Sequence, residues 1–592
     1  GLFIDLRALF TSPTISALAA AAGSQAGEVE VPPNLIPPHC PAVTPEMLPL
    51  IKLSQPEIDR IVSSVPGGAA NVQDIYPLAP LQEGIFFHHL LNTQGDAYLL
   101  SSLFAFDSRV RLDGFLNALQ KVVDRHDILR TAVVWQNLKE AVQVVWRRAP
   151  LIVEEVELDP AGKDAVEELY QRFDPRRTRI DLGRAPLLRG HVARDPRGDR
   201  WLLLLLEHHL VGDLTTMDII QREMEIHLSG GSGPLPEPPP FRNFVAQARL
   251  GMSQEEHRKF FEQMLAEVDE PTIPFGLLDV QGDGRGIGEA QLAVDADLAG
   301  RIRERARVLH VSAAGLCHLA YALVLARISG RTDVVFGTVL FGRLLGGEGI
   351  DRVVGMFINT LPIRIAVGEK SAEESVRRTH ALLMELMRHE HASLVLAQRC
   401  SGVSAPRPLF SALLNYRYAR NAAQTSSAEI TRESRGIERL RSEERTNYPC
   451  TLSIDDLGQG FVLTAQIQNP IEPLRVCRYM QRALEQLIAA LERAPETAVG
   501  RLEVLPEAEV GRMIEEFNRT EAAYPADRRV HELFEEQVRL RPEAVALAAG
   551  DQVLTYGSLN RRANRLARRL REAGVGPETL VGICLDRSPE LL

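Results

Sequence analysis

Between Trp201 and Glu207 the chain reads "WLLLLLE", an apolar run without helical spacing, which predicts a buried strand. Similar short runs, "DVVFGTV" (333–339) and "GFVLTAQI" (460–467), alternate with stretches of helical periodicity from Asp74 to about residue 505. The alternation predicts an α/β (α+β) mixture too long for one core, hence two lobes. "LSGGSGPLPEPPPF" (228–241) is a surface crossing between them by its Gly and Pro content. "VSAAGLCHLAYALVLARISG" (311–330) is interrupted by His318 and Arg327 and fits a buried helix better than a membrane span. Before this region, Ser12 and Pro13 start a helix with Ile15, Leu18 and Ala19 on one face, and Ala22–Thr44 has linker composition. After residue 505 an acidic loop leads into an amphipathic helix, then strand, turn, strand, basic helix and a final strand "LVGICL" (580–585), read as part of an incomplete sheet.

Composition narrows the function classes. The chain has 592 residues, 45% hydrophobic and 24% charged, enough for several cores. Its net charge of −11 and lack of a basic stripe argue against nucleic acid as the main partner. Six cysteines without C-x-x-C pairing suggest neither a zinc site nor a disulfide framework, and point to a reducing, cytoplasmic location. "GLFIDLRALF" lacks the features of a signal peptide and reads as cut from something longer.

The candidate chemistry begins where the strand ends. "EHHLVGD" places His208 and His209 at the mouth of a core, with Asp213 four residues after the second. Thr215 and Asp218 read as the start of a helix with Met217, Ile220 and Met224 inward. Taken alone, the motif fits a reacting group held rigidly or a pair of satisfied histidines beside a helix cap. A second pair, His88 and His89, ends an amphipathic helix and is followed by a Gly95-Asp96 turn. Other motifs carry less: "GGSG" is not flanked as a nucleophile elbow, "GDGRGIG" (282–288) lacks phosphate-loop spacing and reads as a loop, and "HEH" (389–391) puts its histidines two apart. No metal is assigned.

"YPLAPLQEG", "RHDILRT", "HHLVGD", "VVFGTVLFGR", "GMFINTLPIR" and "LFSALLNYRY" occur in this order between residues 74 and 505. In this the chain resembles the condensation domains of nonribosomal peptide synthetases. The resemblance implies a two-lobed chloramphenicol acetyltransferase-like pseudo-dimer with a through-tunnel between the lobes. It divides the chain into a carrier-domain end (1–22), a linker and lead-in (23–71), an N-lobe (72–240), a C-lobe (241–505), a linker (506–528) and the start of an adenylation domain (529–592). The implied reaction is attack of a carrier-bound α-amine on a carrier-bound thioester, with His209 assisting proton transfer beside His208. Asp213 is implied to point away from substrate and pair with Arg343 of "FGR". Leu214 stands where the family motif has Gly, which implies a different local turn. "HHLLNTQGD", with His88, His89, Gly95 and Asp96, resembles the extra motif of dual condensation and epimerization domains, which invert the donor Cα before coupling. The partners implied are an upstream donor carrier, a downstream acceptor carrier and the adjoining adenylation domain. Substrates would arrive on 4'-phosphopantetheine, with no cofactor, nucleic acid or membrane bound by the chain itself. Condensation without inversion, and a non-catalytic recruitment domain of the same fold, are the alternatives.

Overall fold

A computed structural model describes residues 2–3, 23–24 and 29–592, apart from 92–94, 161–163, 230–234, 279–285, 344–348, 419–435 and 444–445. It divides into two units, Gly1–Pro506 and Glu507–Leu592.

In the larger unit, the first half of the chain supplies strands β1 (Leu99–Phe106), β2 (Ile152–Glu155), β3 (Leu188–Arg194) and β4 (Trp201–His208). The second half supplies β5 (Ile287–Ala293), β6 (Asp333–Leu340), β7 (Asn359–Ala366), β8 (Ala412–Tyr418), β9 (Ile437–Glu443), β10 (Cys450–Asp456) and β11 (Phe461–Gln468). They form two principal sheets, ordered β9-β1-β4-β3-β2 and β5-β11-β10-β8-β6-β7. The histidine strand β4 is central in the first, antiparallel to β1 and β3, with His208 opposite Leu99 and Glu207 opposite Leu188. Both faces of β4 are largely covered, which is why its sequence is a leucine run and not an alternation.

Helices α1 (Pro80–Leu91), α2 (Arg109–Arg125), α3 (Leu214–Leu228) and α4 (Arg242–Leu250) contribute to the first core. Phe115 of α2 meets Phe104 and Phe106 of β1 at 5.2 and 5.3 Å between ring centroids. In the second lobe α5 (Ala313–Ser329) is buried all round. Ser312 caps its start, and Gly330, in the left-handed region at φ 69°, ends it. His318 inside it is satisfied by the Ala314 carbonyl at 2.7 Å and the Thr338 hydroxyl at 2.8 Å. The run 311–330 is therefore a core helix, and among the described residues no single helix is long and apolar enough to cross a membrane.

The structure corrects three expectations. First, part of the segment read as linker and lead-in is packed: Ile36, Val43, Ile51, Ile58 and Ile61 form a third core against the small sheet of Val72–Pro77, Val142–Trp146 and Thr131–Val134. Its prolines concealed a widely spaced apolar set. Second, no cut at residue 240 separates the lobes. β9 crosses from the second half to pair with β1, and Phe241, Phe244, Val353 and Phe357 lie in the first core. Third, in the smaller unit the helix Val530–Leu540, the hairpin Val545–Ala549 with Gln552–Thr555 and the helix Tyr556–Glu572 form as expected, but "LVGICL" is not a strand. It pairs with no described strand, and Leu580 is almost fully exposed. The helix expected after Pro13 lies outside the described residues, as do parts of the 228–241 crossing and of "GDGRGIG".

Candidate active site

At the end of β4 the chain enters a single 3-10 turn, His209–Val211, and then α3. The His209 backbone N–H donates to the Tyr98 carbonyl at 2.8 Å, and its Nδ1 lies 2.6 Å from the Gly212 carbonyl oxygen. A carbonyl only accepts, so Nδ1 carries the proton and neutral His209 bears its lone pair on Nε2. The ring is partly exposed. Gln82, from "LAPLQEG", braces the turn by donating to the Leu210 carbonyl at 2.7 Å. Much of the first motif thus serves to hold the second.

Asp213 is the N-cap of α3, accepting from the Thr216 N–H at 2.9 Å. The start read at Thr215 and Asp218 is corrected accordingly. The same carboxylate accepts from Arg343 at 3.2 Å and from the Phe357 N–H at 3.3 Å. Arg343 also donates to the Ile350 and Val353 carbonyls and lies 3.9 Å over the Phe357 ring. Both side chains are buried, with the guanidinium reaching from the end of β6 to a loop of the first sheet. Asp213 therefore joins the histidine loop to Arg343 and the Phe357 backbone. Leu214 is the first residue of α3, exposed and outside the positive-φ region, so this loop asks nothing of position 214 that only glycine supplies.

The second histidine pair meets the first through Asp96. Its Oδ2 lies 2.5 Å from His89 Nδ1 and 3.1 Å from His208 Nε2, while Oδ1 accepts from the Tyr98 N–H at 2.9 Å. Gly95 makes the turn possible: φ is +70°, and a Cβ there would lie 2.2 Å from the Arg176 carbonyl oxygen. Burial works to raise the Asp96 carboxyl, but hydrogen bonds from His208 and His89 outweigh it and hold the group well below the usual carboxylate range. An ionised Asp96 only accepts, so His89 is protonated on Nδ1 and His208 on Nε2. His208 Nδ1 in turn accepts from the Leu210 N–H at 3.2 Å. Fully buried His208 thus has both ring nitrogens engaged, and burial pushes its imidazole below the ordinary value against the pull of Asp96. His89 keeps Nε2 without a described partner. The donor atoms of His89, Asp96 and His208 lie within 4.8 Å of one another, near enough to share a cation, but hydrogen bonds already account for their contacts.

His88 stands apart. Its half-buried ring lies 5.8 Å from Tyr98 and 6.1 Å from Phe87, and burial lowers its imidazole against the charge of Asp96. Tyr98, which the sequence did not single out, touches both pairs and donates its hydroxyl to Asn447 at 3.1 Å. Only its place two residues after Asp96 hinted at this. Elsewhere, His126 and Arg125 of "RHDILRT" both pair with Glu223 of α3, a structural clasp. His389 of "HEH" contacts His257 at 2.9 Å and stacks on Phe260.

The condensation-domain family model matches residues 72–514, and the AMP-binding enzyme model matches residues 534–592. Malpinin synthetase of Mortierella alpina is 49% identical over all 592 residues, which make up 8% of its length. Malpibaldin synthetase of the same organism is 48% identical, with 11% of its length covered. A linear gramicidin synthase polypeptide of Brevibacillus parabrevis is 31% identical over 93% of the chain and 7% of its own length. The chain thus spans about a tenth of these relatives. Among solved structures, a four-domain nonribosomal peptide synthetase bound to AMP and glycine superimposes with a TM-score of 0.68 at 16% identity, over 85% of this chain and 39% of that one. The condensation domain of the monacolin K polyketide synthase gives 0.54 at 22% identity, over 72% of this chain and all of that one. The family match over residues 72–514 shows that the chain belongs to the condensation-domain family of nonribosomal peptide synthetases.

Proposed function

We propose that the chain joins two carrier-bound substrates, with the α-amine of an acceptor attacking the thioester of a donor. The C–N bond forms, the C–S bond breaks, and the departing thiolate takes up a proton. The observation that carries this reading is His209, anchored through Nδ1 and keeping a lone pair on Nε2 at the end of a rigid central strand. That atom can accept the proton the amine must lose. Because a thioester is already activated, alignment of amine and carbonyl supplies much of the remaining rate. His208 acts here as a positioning residue and Asp213 with Arg343 as the lock. The phosphopantetheine arms belong to the donor and acceptor carriers, which would enter a through-tunnel from opposite sides, with the adenylation domain as neighbour and the cytosol as setting.

The reading extends to inversion of the donor Cα before coupling. His89 is held like His209: Nδ1 donates to a fixed oxygen and Nε2 is left basic. Removal of a proton next to a thioester and its return on the other face need such a base, and His88 lies beside it on the same helix. The test supplies an L-configured donor thioester on one carrier and a loaded acceptor on another, in deuterated water. A product with deuterium at the donor Cα and the D configuration is expected. An unlabelled L-L product would leave condensation standing and remove inversion.

A further inference from the structure

Glu207 is the last residue before the histidine pair, and strand alternation turns it to the face of β4 opposite His208. There it lies against the start of α3. A Cβ built on Gly212 would fall 2.9 Å from Glu207 Oε1, 2.8 Å from Thr216 Cγ2 and 3.3 Å from Met217 Cε. Gly212 is extended, at φ −161°, so glycine here supplies space and not an unusual conformation. It is also the residue whose carbonyl anchors His209. The carboxyl is therefore packed against the anchor of the proposed base.

Among the described residues nothing uses this carboxyl. Glu207 is 7% exposed, Oε1 is buried with no hydrogen-bond partner, and its carboxyl makes no described hydrogen bond or ion pair. The flanking strands present Leu100 and Leu188 opposite it, and α3 presents Thr216 and Met217. The Thr216 hydroxyl is committed to the backbone of Gly355. The nearest titratable groups in sequence are engaged elsewhere: His208 with Asp96, His209 through Nδ1 with Gly212, and Asp213 with Arg343. Burial alone pushes the Glu207 carboxyl up to about 8, so at pH 7 it is mainly a neutral acid, with an O–H that has no acceptor among the described residues. A buried polar group left unmet destabilises the fold, and such groups concentrate where a ligand completes them.

We propose that Glu207 is a substrate-binding residue, donating a hydrogen bond to a carbonyl oxygen of the carrier-bound acyl chain as that chain reaches His209. The ligand class is an acyl thioester or amide carbonyl. This rests on the condensation reading, and the experiment separates the two. The full chain is assayed as wild type, Glu207→Leu, Glu207→Gln and His209→Ala, with separately loaded donor and acceptor carriers. The probe is L-alanyl-L-alanyl donor with glycyl acceptor, or whichever pair from an aminoacyl panel the wild type couples fastest.

Glu207→Leu is expected to raise the KM for the donor carrier about tenfold, the size of one lost hydrogen bond, while raising the melting temperature. Glu207→Gln, which keeps an N–H donor, should recover most of that loss. It should also remove the rise in KM that the wild type shows above pH 8, where the acid ionises. Glu207→Leu with wild-type KM, or with a melting temperature below wild type, overturns the proposal. If the leucine variant does not fold, an alkaline rise in KM persisting in Glu207→Gln overturns it. Loss of coupling in His209→Ala beside an unaffected Glu207 series would retain the condensation reading and discard Glu207 alone.

Discussion

Asp213→Ala separates the lock from the chemistry. The substitution breaks the buried pair between Asp213 and Arg343, which in comparable sites costs about 3–5 kcal/mol. Arg343 keeps its bonds to the Ile350 and Val353 carbonyls and its place over Phe357, so the low end applies, about 3 kcal/mol. Loss of the cap on Thr216 adds about 1 kcal/mol. A total of about 4 kcal/mol is a large part of the stability of an ordinary domain. Urea unfolding followed by intrinsic fluorescence suits the measurement, because the three tryptophans, Trp135, Trp146 and Trp201, all pack into the first-lobe cores. Asp213→Asn, which keeps the cap and loses the charge, should cost less than Asp213→Ala. Pairing it with Arg343→Met should recover part of the loss, since no unpaired charge is left. A stable Asp213→Ala, within about 1 kcal/mol of wild type but unable to couple, would refute the argument and give Asp213 a chemical role.

Three further outcomes follow from the same geometry. His209→Ala should lower the coupling rate by about 10²–10⁴ with little change in melting temperature, measured by single-turnover product formation. His89→Ala should abolish deuterium entry at the donor Cα while a D-configured donor is still coupled, because it removes the imidazole that Asp96 holds and leaves the Asp96–His208 bond in place. Stability should fall as pH drops from about 6.5 toward 4. Burial holds His318 down at about 4, so over that window the unfolded chain binds a proton that the folded one refuses, worth about 3 kcal/mol. His389 and His391 are held at about 4 as well, so His318→Gln should reduce that slope by one proton's share in urea titrations across the window.

What could be read from the sequence was local. The leucine run of β4, the histidines at its end and the all-apolar periodicity of α5 each follow from a few adjacent residues, and each forms as read. Asp213 and Arg343 were paired only through the family resemblance, since 130 positions separate them. What escaped was set by distant pairing. No period in "IERLRSE" indicates that β9 leaves its own half of the chain to complete the first sheet beside β1. The apolar residues between Ile36 and Val65 are too widely spaced, among prolines, to suggest a core until the three-stranded sheet they cover is in place. Glu207 read as the charged end of a strand, because a missing partner is a property of its surroundings and leaves no mark in the sequence.

The two histidine motifs form one hydrogen-bonded arrangement around His208. His89 and His209 share a pattern, with Nδ1 given to an oxygen and Nε2 left basic, although one oxygen belongs to a carboxylate and the other to a main-chain carbonyl. The difference is chemical. The Asp96 oxygen is anionic and the Gly212 oxygen is not, so the two imidazoles meet different local charge. His208, with both nitrogens committed, ties them together through Asp96 on one side and the Leu210 N–H on the other. A change at His208 should therefore disturb inversion and coupling together, while changes at His89 and His209 divide the two.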